Sequence, residues 1–578
     1  MLKQIIDIIK ENHIDTFEQA ILDQYVPTDG TYIIVEEDEN GNLHETCRED
    51  IIMDTKLKTI DRTINNFDLI CELDYNSKLI DMNKPIDSKK IIHSNNYLSF
   101  FVKKETLGSK LTEEIIDNYY NTLENPLLKY TKKKAKELYL DLEKELGKVD
   151  KEKLTKIKNW IKENIFNLSI DISKKNYLKI FFLYSKDDFY TEGKRYLMPN
   201  IYNNNDFNIK SEDLIMGLPN NNMGLNAKKP YLENKTRKTK IPYLIDLEEA
   251  LLQKKLFDYF LNLASIGKYN LYIGKEIFAL KDGEILNEKF NGIYVRLKKG
   301  KEAEIQNVDI ISDFNPKLNK KFEFKNVLNA DYEILYKNKK EDVEEYGIKG
   351  KIEELQSLVD IILFNRSLIR NYFSEEISIK DIKLKRALLM SRDKLSEWFY
   401  KGNSNNVWNV LNKAIDLVIR DSLEKGYYPK AMNQFNLKYS LKEYLKREEE
   451  NMADVILNIK DTLRNKVFSK DENKIDSDKE YFFAVGQLTS FLLSKSKGKN
   501  KPLSLANPII NAKNDEIIKT KLRQLFVKYN YDMDQDKDLR FKNLYSMIIG
   551  YEVEDKINTD LIIAGYLNSN LIYEKKEN

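Results

Sequence analysis

Strand-forming patterns in this 578-residue chain all but stop at about Asp331, and beyond that point apolar residues recur only at helical spacing. A single change of period of this kind predicts an α+β multidomain protein: a mixed α/β N-terminal region, then an all-α region ending in a helical bundle. The length agrees, because one hydrophobic core stops growing well short of it and units of roughly 100 to 200 residues are the rule. The expected division is residues 1–110 as a mixed α/β domain, 111–170 as a helical segment, 171–330 as an α+β domain, 331–450 as a helical domain and 451–578 as a C-terminal helical bundle.

In the first region Met1–Lys10 reads as an amphipathic helix, and Thr31–Thr46 as a β-hairpin turning at Asn40-Gly41 through a type I′ turn. Phe67–Leu73, Lys90–His93 and Tyr97–Val102 carry the β-branched and aromatic residues of strands. Glu113–Ile165 reads as helix, with the Lys-rich turns Lys132–Lys136 and Lys151–Lys158 on a solvent face. Strand character returns at Tyr177–Tyr184 and Tyr269–Ile311, where Lys281-Asp282-Gly283-Glu284 and Lys298-Lys299-Gly300 have the look of hairpin turns. Helices are expected over Ile352–Phe373, Leu384–Phe399 and Val407–Leu423. After a charged separator, Tyr439–Glu450, they resume over Met452–Phe468, Glu480–Leu493, Asp515–Tyr529 and Phe541–Ile549.

Composition narrows the function classes. Aromatic residues make up 11% of the chain, far too many for a disordered protein. Lys+Arg 95 against Asp+Glu 93 leaves a formal charge of +2, so any affinity for nucleic acid must come from charge placed locally. Only Cys47 and Cys71 are present, too few for a disulfide framework and consistent with a reducing compartment; the cytoplasm is the expected location. The most apolar stretch, Tyr481–Leu493, is too short to cross a bilayer, and no membrane role is expected.

Catalytic chemistry is scarce. The three histidines are His13, His44 and His93, none followed by Asp, which removes the His-Asp pair of a metal phosphohydrolase; with no Cys after Cys71, the last 485 residues offer neither a histidine base nor a Cys-His pair. No Gly-Lys pair precedes Ser or Thr, which removes the phosphate-cradling loop of nucleotide hydrolases. Asp532, Asp534, Asp536 and Asp538 alternate as in a calcium loop, but Lys537 stands where the turn glycine belongs and Asn543 where the bidentate glutamate belongs. Glu233-Asn234-Lys235 has the spacing of a metal-dependent nuclease, which also needs an upstream acid on a strand; Asp213 is the near candidate. No metal or other cofactor is expected, and a binding protein without a catalytic centre is the leading reading. A nuclease using Glu233 and Lys235, or a protein-only scaffold whose basic loops meet acidic partners, are its rivals.

The stretch from Asn220 to Lys240 has what a loop reading a duplex needs. Lys228, Lys229, Lys235, Arg237, Lys238 and Lys240 against Glu233 give a local charge of +5, suited to phosphates or to a guide RNA. Asn220, Asn221, Asn222 and Asn226 offer paired donors and acceptors for base edges, and Gly217 and Gly224 allow close backbone approach. A second basic run, with Lys495, Lys497, Lys499 and Lys501, follows an apolar helix. Its plain reading is a helix end with cations suited to the dipole; its functional reading is contact with a nucleic-acid strand, to which Arg523, Lys528, Arg540 and Lys542 would add.

The chain resembles the large subunit of the type I-B CRISPR surveillance complex, Cascade (the Cas eight family, subtype b, Csh type). The resemblance spans most of the chain and rests on blocks in one order: Met223-Gly-Leu-Asn-Ala-Lys-Lys-Pro-Tyr-Leu-Glu-Asn-Lys-Thr-Arg-Lys238, Ala484-Val-Gly-Gln-Leu488 with Ser494-Lys-Ser-Lys497, Ile549-Gly-Tyr-Glu552, and Ala564-Gly-Tyr-Leu567, with Asn95-Asn96-Tyr97 as weaker support. It implies a protein that sits at the end of the complex holding the guide RNA's 5′ handle, inspects duplex DNA for a PAM and promotes R-loop formation, after which base pairing with the guide reads the sequence. Its implied partners are guide RNA, target duplex and displaced strand, the backbone, handle-binding and small subunits of the complex, and a helicase-nuclease recruited in trans. The cysteine zinc insertion of some related subunits is not supported by two distant cysteines. Met452, after Arg447-Glu448-Glu449-Glu450, further suggests an internal translation start that would yield a separate 127-residue small subunit.

Overall fold

The computed structural model describes residues 2–79, 85–202, 205–211, 214–219, 236, 244–300, 303–329, 346–446, 452–496, 505–530 and 535–574. As the change of period predicts, a mixed α/β region comes first and a region of many helices follows. The chain divides into two compact units, Met1–Lys281 with Gly292–Ile310, and Asp282–Asn291 with Ile311–Asn578.

In the first unit α1 (Leu2–Asn12) and α2 (Phe17–Asp23) precede β1 (Gly30–Glu37) and β2 (Leu43–Ile51), and α1 buries Ile5, Ile6 and Ile9 on one face. The expected hairpin forms with a different turn. Residues 38–42 connect the strands and only Gly41 among them has positive φ, whereas a type I′ turn needs it at two positions. Asp38 instead accepts the backbone N–H groups of Asn40 and Asn42.

The segment Phe67–Leu73 is not a strand but the start of helix α3 (Phe67–Asn76). Phe67, Ile70, Cys71 and Asp74 are buried at helical spacing, so one-faced burial outweighs the β propensity of the residue types. Lys90–His93 contributes only one bridge, Ile92 with Val102.

Strand β3 (Ser99–Lys103) is followed by helices α4 (Glu113–Glu124), α5 (Lys133–Leu146) and α6 (Lys151–Asn164) before β4 (Tyr177–Phe182). The sheet order is β2-β1-β4-β3, with β4 parallel to β1 and antiparallel to β3. At the start of the parallel pair a Cβ on residue 30 would collide with the Tyr177 carbonyl, which requires Gly30. The lysines of α6 lie on a solvent face, as expected, and are ion-paired: Lys151 with Glu124, Lys153 with Asp188, and Lys158 and Lys162 with Asp117.

Central strand β4 carries a fully buried cation. Lys179 Nζ lies 2.7 Å from Asp74 Oδ1 and 3.3 Å from Thr28 Oγ1, while Asp74 Oδ2 accepts from Lys78 Nζ at 2.7 Å and the Tyr25 hydroxyl at 2.9 Å. The rings of Phe101 and Tyr32 enclose the ammonium at 5.0 and 5.3 Å. Burial pulls Lys179 down to about 7. Burial also opposes the charged Asp74, but Lys179 and Lys78 outweigh it and hold the carboxyl below the usual range. Next to it Cys71 is pushed up to about 12 by burial and by Asp74, which makes it an inert core thiol.

Helix α7 (Lys186–Leu197), the short strands β5 (Ile209–Ser211) and β6 (Leu214–Met216), and helix α8 (Leu247–Ser265) lead to a second sheet. Its strands are β7 (Lys268–Ile273), β8 (Ile277–Lys281), β9 (Phe290–Lys299) and β10 (Ala303–Phe314), in the order β10-β9-β7-β8. Because β8 and β9 flank β7 on opposite sides, residues 281–284 do not turn a hairpin, whereas Lys298-Lys299-Gly300 does stand between neighbouring strands.

The second unit holds a two-stranded antiparallel ribbon, β11 (Lys317–Phe324) with β12 (Gly347–Lys351), so strand structure outlasts Asp331. The helices are α9 (Ile352–Phe364), α10 (Ile382–Lys401), α11 (Val407–Glu424) and α12 (Tyr428–Lys446), then α13 (Met452–Phe468), α14 (Asp478–Ser494), α15 (Asp515–Tyr529), α16 (Gln535–Gly550) and α17 (Thr559–Leu567). The expected separator is half wrong, because α12 continues through it to Lys446. This helix is buried all round from Ala431 to Leu441, and its polar residues are matched: Gln434 accepts from Ser422, Asn436 accepts from Leu328 N, and Lys438 Nζ sits 2.6 Å from both Asp416 and Asp560. With polar residues on every side the helix has no apolar stripe to read.

The buried pair predicts that Asp74→Asn destabilises the first unit by about 3–5 kcal/mol, because it leaves Lys179 uncompensated. Asp74→Leu with Lys179→Met should lose less than either single change. Since the folded Asp74 pKa is depressed, its contribution is present above the unfolded value of about 4 and is lost as pH falls through the lower folded value. Urea unfolding at neutral and acid pH measures both; equal stability of Asp74→Asn and the parent would rule out this role.

Candidate nucleic-acid interface

A pair of backbone hydrogen bonds flanks the Asn220–Lys240 stretch. Gly217 N–H donates to the Ile245 carbonyl at 2.9 Å and Ile245 N–H to the Gly217 carbonyl at 3.0 Å, so the residues on either side of the stretch are held together. Tyr202 bridges to Pro219, and its hydroxyl donates to the Ile215 carbonyl at 2.8 Å. Leu218 is buried against Phe207 and Leu244, a small apolar clasp of its own. Position 217 must be glycine, since a Cβ would collide with the Tyr202 ring and stand 2.7 Å from Asn208 Oδ1. Directly after the clasp, Asp246 caps α8 by accepting from Glu249 N–H at 2.8 Å. The sequence thus fixes a two-ended anchor for a basic segment of net charge +5.

The individual residues proposed within that segment, Asn220, Asn221, Asn222, Asn226, Lys228, Lys229, Lys235, Arg237, Lys238 and Lys240, lie outside the described residues, as do Glu233 and Asp213 of the nuclease alternative. Lys497, Lys499 and Lys501 lie outside them too.

The other candidate cations of the C-terminal bundle lie on three helices whose phenylalanines meet. Phe491 on α14, Phe526 on α15 and Phe541 on α16 form a ring cluster, with Phe541 5.6 Å from Phe491 and 5.4 Å from Phe526. Lys495 reaches back over Phe491, Arg523 and Lys528 flank Phe526 in sequence on exposed positions, and Arg540 and Lys542 flank Phe541. Their chemistry differs. Arg540 lies 3.8 Å over the Phe468 ring and donates to the Ile572 carbonyl, so it fastens the C-terminal segment to the bundle. Arg523, Lys528 and Lys542 are exposed.

Two of the blocks that carry the family resemblance meet in space, and a third touches the helix that carries the first. On α14, Gly486 packs so closely on Gly565 of α17 that a Cβ on either would run into the other helix's backbone. Gln487 donates to the Gly565 carbonyl at 2.6 Å and accepts from Leu571 N–H at 2.8 Å. Tyr551 stacks on Tyr481 at 5.2 Å and its hydroxyl donates to Asp478 at 2.9 Å. Met452 is the first residue of α13.

Among the described residues no group of three or more His, Cys, Asp or Glu could hold a metal ion, and no helix is long and apolar enough to cross a membrane. His13 bonds the Gly274 carbonyl and His93 the Tyr177 hydroxyl, so both have structural partners. No family model, curated protein or solved structure matches the chain. Sequence reasoning singled out nothing on the β11–β12 ribbon, whose lysines come together only through strand pairing.

Gly217→Ala should open the clasp, costing about 1–3 kcal/mol of local stability. Trypsin should then cut among Lys228–Lys240 faster than in the parent, as mapped by mass spectrometry. An unchanged cleavage rate would remove the clasp from the account.

Proposed function

We propose that this protein is the large subunit of a guide-RNA surveillance complex of the type I-B CRISPR kind. In that role it binds target DNA, reads the PAM, promotes R-loop formation and serves as the platform from which a separate helicase-nuclease is recruited in antiviral defence. The observation that carries the reading is the ordered set of sequence blocks. The convergence of three of them on α14 supports it, because residues 79 apart in sequence such as Gly486 and Gly565 are constrained by one contact. The anchored ends of the basic segment support the nucleic-acid part: a net charge of +5 between Asn220 and Lys240 suits phosphate neutralisation, and the asparagines in it carry the paired donors and acceptors that base edges call for.

Expression together with the neighbouring genes tests the assembly: a defined small RNA and several repeated partner subunits should copurify, and their absence would overturn the reading. Lys228→Ala with Lys229→Ala should weaken binding to all DNA and lower the salt slope by about two, whereas an Asn→Ala change at a base-reading position should relax sequence preference. Unaltered target binding in both would reject the loop as the contact. The internal start predicts a 127-residue fragment beginning at Met452, visible by mass spectrometry of the intact gene's products and abolished by Met452→Leu.

A further inference from the structure

Many of the described lysines of this protein are ion-paired. Those of α6 pair with carboxylates, Lys179 and Lys438 are buried against aspartates, and Lys325 pairs with Glu443 at 2.8 Å. The β11–β12 ribbon gathers several that are not. It carries Lys317, Lys320, Lys321, Lys349 and Lys351, and none of the five ammonium groups lies within ion-pairing distance of a carboxylate among the described residues. The nearby acids are already engaged: Glu323 faces Lys325 at 3.6 Å, and Glu354 accepts the backbone N–H groups of Gly350 and Lys351 at 2.7 and 2.9 Å.

The ladder makes this arrangement costly. Lys317 stands directly opposite Lys351, and like charges facing each other across an antiparallel pair are destabilising. The ribbon is nevertheless firmly seated, with Phe322 5.7 Å from Tyr444 of α12 and Phe324 4.7 Å from Tyr346. Its other features favour an approaching ligand. All of these lysines except the half-buried Lys349 are exposed, Ile348 is 64% exposed, and Gly347 and Gly350 have open space where a side chain would be.

We propose that the β11–β12 ribbon is a nucleic-acid backbone contact, made by Lys317, Lys320, Lys321, Lys349 and Lys351 on phosphates. Five lysines and one glutamate give the two strands a charge of +4, which a line of phosphates neutralises. A two-stranded ribbon is also of a width that a duplex groove accepts. Lysine, a point charge without fork geometry, suits contact with the backbone and not with bases. This surface rests on the proposed function only for the class of its ligand; its residues are separate from the 220–240 segment. Lysine on a strand edge can also serve to block edge-to-edge association, and that reading predicts a different outcome.

The test uses the full-length chain with all five lysines changed to glutamine, and a second variant with all five changed to arginine. Labelled random-sequence duplex of about thirty base pairs, and the matching single strand, are titrated by anisotropy between about 50 and 200 mM salt. The glutamine variant should bind at least about tenfold more weakly at the low-salt end, with the salt slope reduced by about four to five units, or about 0.9 for each lysine on a phosphate. Its melting temperature at low salt should equal or exceed the parent's, because the Lys317–Lys351 repulsion is gone. The arginine variant should retain binding. If the parent binds and the glutamine variant binds equally with the same slope, the ribbon proposal alone fails. Self-association of the glutamine variant with unchanged DNA binding assigns the lysines to edge protection and also overturns it. Polyglutamate that displaces the duplex at equal charge concentration would assign the surface to acidic proteins instead. A parent chain that binds neither probe overturns this proposal together with the nucleic-acid reading on which it rests.

Discussion

A lysine ammonium that leaves water must find a carboxylate, and the first unit is organised around one case of this. Lys179 lies on β4, the strand paired with both β1 and β3, and Asp74 comes from helix α3 on the sheet's face. Because Asp74 also accepts from Tyr25 and Lys78, one carboxylate ties the sheet to the helix and to the loop that precedes β1. A hydrophobic pair of similar volume would hold the layers together as well, but it would not fix the rotation of α3, which the directed bonds do. The second unit repeats the device with Lys438 between Asp416 and Asp560, joining α12 to α11 and α17.

The β11–β12 ribbon is arranged differently. In a chain whose opposite charges are nearly equal in number, carboxylates are not scarce, and helix α6 shows that surface lysines here readily find them. The ribbon differs from α6 in that none of its five ammonium groups lies within ion-pairing distance of a carboxylate among the described residues. The Asn220–Lys240 segment is likewise positive in sequence, with a net charge of +5. On the proposed function, both would receive their counter-charge from a ligand.

Much of the architecture was legible in the sequence wherever a single period governed burial. Helices α14 and α15 lie close to their apolar patterns, and the strand at Tyr177 is where its residues place it. Reading failed where tertiary contacts replaced the pattern. Residues 67–73 have strand-like types but a helical face to bury, and α12 has no face because its polar residues are satisfied inside the core by partners as distant as Leu328 and Asp560. The turn at Gly41 was found in place but not in type, since Asp38 offered the backbone a better arrangement than two left-handed residues. Of the candidate interface, composition disclosed the charge of the 220–240 stretch, and the glycine at 217 admits the Tyr202 ring, a contact that nothing in the local sequence announces. The ribbon could not be read at all, because its lysines fall in two runs separated in sequence and neither run is unusual alone.

The contact of Gly486 with Gly565 has a bearing on how the chain is made. Gln487 and Gly565 are 78 residues apart, so at about 5 to 20 residues per second ribosomes take roughly four to sixteen seconds to supply the helix that closes on α14. Through that interval α14, with Phe482, Phe483, Leu488 and Phe491 destined for full burial, has no α17 to cover it. The bundle is thus most open to misassociation during its own synthesis, and the tightest packing in the second unit is the last to form.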